Sequence, residues 1–221
     1  MIDKDETSLK KAVDSLGTGH GYLTLDVTSP DAAEQAMLGS IQKFGGLDIL
    51  ISNAGAAHAG PMLSISEDDL RDAFELNFFS HYSFSTAAAK IFRNQNRGGQ
   101  ILFNISKQAV NPGKNFGAYG MPKATTFFLM KQLALELAAN GIRVNGVNAD
   151  RIRSGLLTDD FISSRAKSRG VSESDYMAGN LLNKEVTAEH VADAFTSLAC
   201  AESTTGHVMT VDGGNIEASL R

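Results

Sequence analysis

Tyr119 and Lys123 stand four residues apart, Ser106 lies thirteen residues before the tyrosine, and Asn77 sits farther back. On a helix, residues i and i+4 project from one face with Cβ atoms about 6 Å apart. That spacing has chemical meaning. A phenol, with a reference pKa of about 10, is a poor acid–base catalyst at neutral pH, whereas a neighbouring ammonium stabilises the phenolate and moves the pKa toward the working range. A Tyr and a Lys four apart occur by chance on many amphipathic helices, so the pair counts only together with its surroundings.

Those surroundings are polar groups at the ends of apolar runs. The strand predicted at Gln100–Ile105 leads into Ser106, which puts a hydroxyl at the carboxyl end of a parallel strand, the edge where open α/β sheets bind ligands. Leu47–Ser52 ends in the same way in Asn53-Ala54-Gly55, and Tyr22–Asp26 ends in Asp26-Val27. Asn77 falls inside a helical pattern between Leu76 and Phe78, where an amide is a mediocre helix former and calls for a partner.

The elements that must position these groups follow from the periodicity. Short apolar runs at Tyr22–Asp26, Leu47–Ser52, Gln100–Ile105, Arg143–Val147 and His207–Val211 alternate with helical patterns at Ala32–Phe44, Glu67–Phe92, Tyr119–Ala139 and Ala188–Cys200. This alternation predicts an α/β fold, a doubly wound and mainly parallel sheet flanked by helices. Gly17-Thr18-Gly19-His20-Gly21 follows a helix and precedes a strand, so it reads as a helix stop and turn. Gly155–Glu185, rich in Ser, Asp, Arg and Lys, reads as a mobile loop-and-helix excursion that would hold substrate specificity. Two helices, 67–92 and 119–139, are unusually aromatic. Phe78 and Phe79, like Phe127 and Phe128, are about 100° apart on a helix and cannot all face the sheet, so a homo-oligomer formed through these helices is expected.

Composition narrows the remaining classes. The 221 residues are 43% apolar, enough for one domain with a substantial core. A net charge of −5 with both signs dispersed gives neither a stripe for nucleic acid nor a polybasic run for a membrane surface. No apolar run approaches the roughly 20 residues of a membrane span. The acidic start, Met1-Ile2-Asp3-Lys4-Asp5-Glu6, is unlike a secretory leader, so cytoplasmic residence is the expectation. Cys200, the single cysteine, lies among Ala194, Phe195, Leu198 and Ala199 and is expected to be a buried inert thiol. No metal site is assigned.

In order and spacing, Asp26-Val27, Asn53-Ala54-Gly55, Asn77, Ser106, Tyr119-x3-Lys123, Arg143-Val144-Asn145, Thr205-Gly206 and Val211-Asp212-Gly213-Gly214 closely resemble the short-chain dehydrogenase/reductase family along essentially the whole chain. The resemblance implies a Rossmann-like fold and reversible hydride transfer between a nicotinamide cofactor and a small alcohol or carbonyl compound. It implies Tyr119 as the acid–base, Lys123 as the group that lowers its pKa and binds the nicotinamide ribose, Ser106 as the holder of the substrate oxygen, and Asn77 as the anchor of a water leading to solvent. Asp26 and Val27 would contact adenine, while Asn53, Ala54 and Gly55 would line the cofactor cleft. Ile152 and Ser154 would meet the nicotinamide amide. Asp3, at the end of a strand, would accept hydrogen bonds from the adenosine ribose and favour NAD over NADP.

The chain departs from the family pattern in three places. Where a second serine often follows Asn-Ile, this chain has Lys107. The thirteen-residue spacing to Tyr119 selects Ser106, whereas counting forward from the strand selects Lys107; only serine can accept a hydrogen bond from a substrate hydroxyl, which favours Ser106. Asn148-Ala149-Asp150-Arg151 replaces the usual Pro-Gly, and a buried Asp150 would need a partner such as Arg151 or Arg153, either of which could instead meet an anionic substrate. Residues 106–117 and 148–156 are similar to the dehydrogenase part of bacterial proteins in which a class II aldolase precedes a short-chain dehydrogenase, a group associated with rhamnulose-1-phosphate and lactaldehyde. A small hydroxy-aldehyde is the substrate class this implies. Lastly, the family's first strand, its Gly-x3-Gly-x-Gly turn and the following helix have no counterpart, so an N-terminally truncated fold with impaired cofactor binding, or a catalytically silent partner subunit, is expected. Tyr22–Asp26 would lose its neighbour and the edge of Leu47–Ser52 would be bare. Either these two strands pair directly, or the preceding helix folds over the edge, or another chain covers it.

Overall fold

The computed structural model describes residues 1–215. Asp5 starts the first helix, α1 (Glu6–Leu16), its carboxylate accepting from the amides of Thr7 and Ser8 at 3.0 and 3.1 Å. Gly17, at φ 82°, ends that helix and leads into β2 (Leu23–Thr24), so the glycine-rich stretch is a stop and turn as expected. After α2 (Ala32–Phe44), the strands β3 (Ile49–Ser52), β4 (Gly99–Asn104), β5 (Ile142–Ala149) and β6 (Val208–Val211) form one parallel sheet in the order β3-β4-β5-β6.

Both faces of this sheet are covered, and β4 shows the alternation. Ile101 and Phe103 pack with Phe84, Phe92, Met130 and Leu133 from α4 (Ser80–Gln95) and α5 (Gly117–Leu137), while Leu102 turns to Phe195 and Leu198 of α8 (Ala188–Cys200). The fold is therefore a Rossmann-like, mainly parallel sheet flanked by helices. Because the strands are parallel, Asn53, Ser106, Asp150 and Asp212 all follow strand carboxyl ends on one edge.

Several expectations need correction. Tyr22–Asp26 neither loses its neighbour nor pairs with Leu47–Ser52: β1 (Ile2–Asp3) and β2 form a separate parallel sheet, with Ile2 opposite Leu23 and Asp3 opposite Thr24. The amides of Leu23 and Leu25 are taken at 2.9 Å by the carbonyls of Met1 and Asp3, which leaves β2 no reason to move. Between the two sheets runs a groove of about 640 Å³, lined by Ile2 and Asp3, by Ile49 and Ile51, and by Leu9 and Ala12 of α1. The helix borders the groove without covering the β3 edge, where Ile51 remains 52% exposed.

The stretch 67–92 is not one regular helix. α3 (Glu67–Phe74) passes through a π turn at Glu75–Phe79 into α4. The excursion 155–185 holds α6 (Asp159–Arg169) and α7 (Glu173–Met177), which share a small core of Leu157, Ile162, Ala166, Tyr176 and Met177. Cys200 is exposed, because the buried stripe of α8 runs through Ala194, Phe195 and Leu198 and position 200 is about 200° around from Leu198. Among the described residues no helix is long and apolar enough to cross a membrane.

Candidate active site

β4 runs into Ser106, whose extended backbone lets its hydroxyl cap the short turn Lys107–Ala109 by accepting from the Gln108 amide at 3.2 Å. Its own proton is left to donate, and Ser106 lines the same cavity as the phenol of Tyr119, in the first turn of α5. Burial pushes the Tyr119 phenol up from its ordinary pKa, and the nearby Ser106 hydroxyl opposes that rise. One helical turn on, the fully buried Lys123 donates from Nζ to the Asn104 carbonyl at 2.9 Å and lies 5.9 Å from the Tyr119 ring centre. Burial lowers its pKa from 10.5 to about 8. The expected lowering of the tyrosine by Lys123 is thus not what governs Tyr119 in this geometry; desolvation acts in the opposite direction.

Asn77 sits in the π turn and is wholly buried. Such single wide turns are frequent at functional sites. Its amide nitrogen donates to the carbonyls of Ala56 and Ala73 at 2.9 and 3.0 Å, and its amide oxygen accepts from the Ala56 amide at 3.3 Å. Its own carbonyl accepts from Thr126 Oγ1 at 2.7 Å. Asn77 therefore straps the 53–56 loop to α3 and α5. Gly55 makes the approach possible: a Cβ there would stand 2.8 Å from Asn77 Oδ1 and 3.6 Å from Lys123 Nζ. Asn53 Oδ1 accepts from Asn104 Nδ2 at 2.7 Å, which ties the ends of β3 and β4 together.

One residue escaped the sequence reading. His81 is 1% exposed, its Nδ1 is 2.6 Å from Ser52 Oγ, and its Nε2 has no hydrogen-bond partner among the described residues. Burial first, then the charge of Lys123, hold its pKa well below the ordinary value, so this is a neutral imidazole under the site. The available signal was its place four residues after Asn77, on the same helical face.

Ser106 and Tyr119 open on a cavity of about 190 Å³ that Lys107, Asp150, Ile152 and Ser154 also line. Lys107 Nζ lies 3.2 Å from Asp150 Oδ2, so Ser106, not Lys107, presents its side chain to the tyrosine. Asp150 also accepts from Asn215 at 2.6 Å and lies 3.5 Å from Arg151 Nε. Arg151 is the expected partner and Lys107 an unexpected one. Arg153 instead reaches outward to Glu185 and Asp159 at 2.7 and 2.5 Å.

The residues expected to hold a dinucleotide fall into two places. Asp3, Val27, Asn53 and Ala54 line the inter-sheet groove, whereas Ile152 and Ser154 line the cavity beside Tyr119. Asp26 is turned onto Thr28, taking its amide and hydroxyl at 2.9 and 2.7 Å, and Asp3 accepts from the Asp5 amide at 3.0 Å. The nicotinamide end of a dinucleotide fits: Lys123 has three donors and one protein acceptor. The pyrophosphate end wants free amides at a helix N-terminus. Among the described residues, the helix bordering the groove, α1, has its N-terminus capped by its own Asp5, and no glycine turn joins a strand to a helix there.

Residues 1–215 match the family described as Enoyl-(Acyl carrier protein) reductase. Over 210 residues the chain is 31% identical to Uncharacterized oxidoreductase YuxG of Bacillus subtilis; the match takes in 91% of this chain and 30% of the length of YuxG. It is 30% identical over 198 residues to L-2,3-butanediol dehydrogenase of Corynebacterium glutamicum, with 87% of this chain and 77% of that protein covered. Acetoin dehydrogenase from Enterobacter cloacae superposes with a TM-score of 0.81 at 28% identity, over 98% of this chain and 84% of its own. With the Ser106–Tyr119–Lys123 geometry at the end of β4 and a family match running through residue 215, the chain belongs to the short-chain dehydrogenase/reductase family.

Proposed function

We propose that this chain is a nicotinamide-dependent oxidoreductase interconverting a small alcohol and its carbonyl compound, with Tyr119 as the proton-transfer group. The observation that carries the reading is the buried Tyr119 phenol, which shares a small cavity with Ser106 at the carboxyl end of β4. A bound nicotinamide would supply or accept the hydride. Proton handling falls to the protein. Because burial keeps Tyr119 protonated at neutral pH, its hydroxyl is ready to give a proton to a carbonyl oxygen, while Ser106 holds that oxygen in place. In the oxidative direction the phenolate is needed, so that rate should climb with pH.

Lys123, oriented by the Asn104 carbonyl, is the group for the nicotinamide ribose, with Ile152 and Ser154 beside the nicotinamide amide. Asn77 acts by bracing Asn53–Ala56 rather than by touching the reacting atoms. Asp3 and Val27 line the groove, which supports assigning Val27 and its neighbour Asp26 to the adenine and the Asp3 carboxylate, which would repel a 2′-phosphate, to the adenosine ribose of NAD. The names of the butanediol and acetoin dehydrogenases, and a cavity of about 190 Å³, below the range for drug-sized ligands, favour a compact substrate. A small hydroxy-aldehyde such as lactaldehyde is the class suggested by the likeness to aldolase–dehydrogenase fusions. Exposed Phe79, Tyr82, Phe128 and Leu135 support a homo-oligomer formed through 67–92 and 119–139.

Titration with NADH and NADPH, followed by melting temperature, tests the reading, because a ligand that binds the folded state must stabilise it. A rise that is larger with NADH is expected. No rise with either nucleotide at roughly millimolar concentration would leave the chain without a hydride source and would sink the proposal in favour of a silent subunit.

A further inference from the structure

Among the described residues, the cavity beside Tyr119 is lined by more cationic than acidic side chains. Lys107, Arg151, Arg165 and Arg169 line it, and among the described residues Asp150 is the one carboxylate that does. Asp150 is already engaged by Lys107, Arg151 and Asn215. Arg151 sits at φ 50°, an uncommon backbone for a residue with a side chain, and this conformation lays its guanidinium 4.8 Å over the Tyr176 ring while it donates to the Tyr176 carbonyl.

The other two cations come from one helical face. Phe161, Arg165 and Arg169 are four apart along α6, and all three line the cavity. Arg165 lies 5.4 Å over Phe116, and Arg169 lies 5.3 Å over Tyr176. Neither has a carboxylate within ion-pairing distance among the described residues, and the buried Nε of Arg165 has no hydrogen-bond partner among them. Guanidiniums held on aromatic rings keep their in-plane N–H groups free, the geometry that grips a carboxylate or phosphate through two bonds. Gathering such groups in one concave site raises the local potential and concentrates anions there.

We infer that the substrate is a small hydroxy or carbonyl compound bearing an anionic group, a carboxylate or a phosphate, gripped by Arg165 and Arg169 while its reacting carbon faces Tyr119. This rests on the oxidoreductase reading of the same cavity and narrows its substrate class. It favours a charged compound over a neutral hydroxy-aldehyde.

The test is a paired comparison of kcat/KM with NAD: 3-hydroxybutyrate against 2,3-butanediol for a carboxylate, and glycerol 3-phosphate against glycerol for a phosphate. The expected result is at least about a tenfold preference for one anionic member. Arg165→Met should reduce that preference about tenfold through KM, and Arg165→Lys should restore part of it. Equal or better turnover of the neutral members, or a preference unmoved by Arg165→Met, overturns the inference and leaves the oxidoreductase reading standing. If none of the four is turned over, calorimetric titration of the folded protein with inorganic phosphate and with 3-hydroxybutyrate decides. Binding of either that weakens about tenfold in Arg165→Met supports the anion site; no binding, or equal binding by the variant, overturns it.

Discussion

At the carboxyl ends of β4 and β5 polar side chains are held by hydrogen bonds and ion pairs, whereas in the groove between the two sheets the apolar side chains of the β3 edge stay exposed. Ser106, Lys123, Asn77 and Asp150 each have a named protein partner at hydrogen-bonding distance, and β4 is hydrogen-bonded on both sides. Across the groove, β1 and β3 belong to separate sheets, and the hydrophobic side chains of Ile49 and Ile51 are 41% and 52% exposed. Preorganisation is thus concentrated where proton transfer would take place. The side lined by Asp3 and Val27 is held by short strands and a bordering helix, the kind of region that opens at low cost.

If this contrast is real, damage should be costly on one side and mild on the other. Asn77→Ala strips partners from the Ala56 amide, the Ala56 carbonyl and the Ala73 carbonyl, and should cost about 1–3 kcal/mol in urea unfolding. A loss as small as that of an ordinary surface change would mean that the 53–56 loop is held by something else. Lys123 provides a pH signature of the same side. Its folded pKa of about 8 lies below the ordinary 10.5, so between those values the unfolded chain binds more protons and stability rises with pH. Wild type should gain on the order of 2–3 kcal/mol over that window, and Lys123→Met should not. The reading is cleanest below pH of about 10, because the raised Tyr119 acts with the opposite sign above it. Ile51→Lys, on the groove side, should change stability by no more than about 0.5 kcal/mol while reducing concentration-dependent association through the bare strand edge. A large loss would show that the groove is closed in solution.

The same contrast explains what could be read from the sequence. β4, β5 and the start of α5 lie close to where their periodicity puts them, because short apolar runs bounded by turn residues suit strands buried on both faces, and Tyr119 and Lys123 share a face by helix geometry alone. The polar residues after β4 and β3, Ser106 and Asn53, are legible for the same reason. Other features depended on contacts distant in sequence. The π turn at Glu75–Phe79 registers Asn77 to Ala56, and no local propensity signals it. His81 looks like any histidine until Ser52, from another element, is brought to it. Lys107 turns toward Asp150 because β4 and β5 are neighbours, which sequence spacing could not separate from the serine position. The division of the strands into two sheets, with β1 already occupying β2, could not be read from runs a few residues long.

The most direct measurement is turnover by Tyr119→Phe, with NADH affinity measured in parallel. The substitution removes one hydroxyl and keeps the buried ring. If Tyr119 delivers the proton, kcat falls about 10²–10⁴-fold while NADH binds as to wild type. Unchanged turnover by a variant that still binds NADH would contradict the assignment of proton transfer to Tyr119.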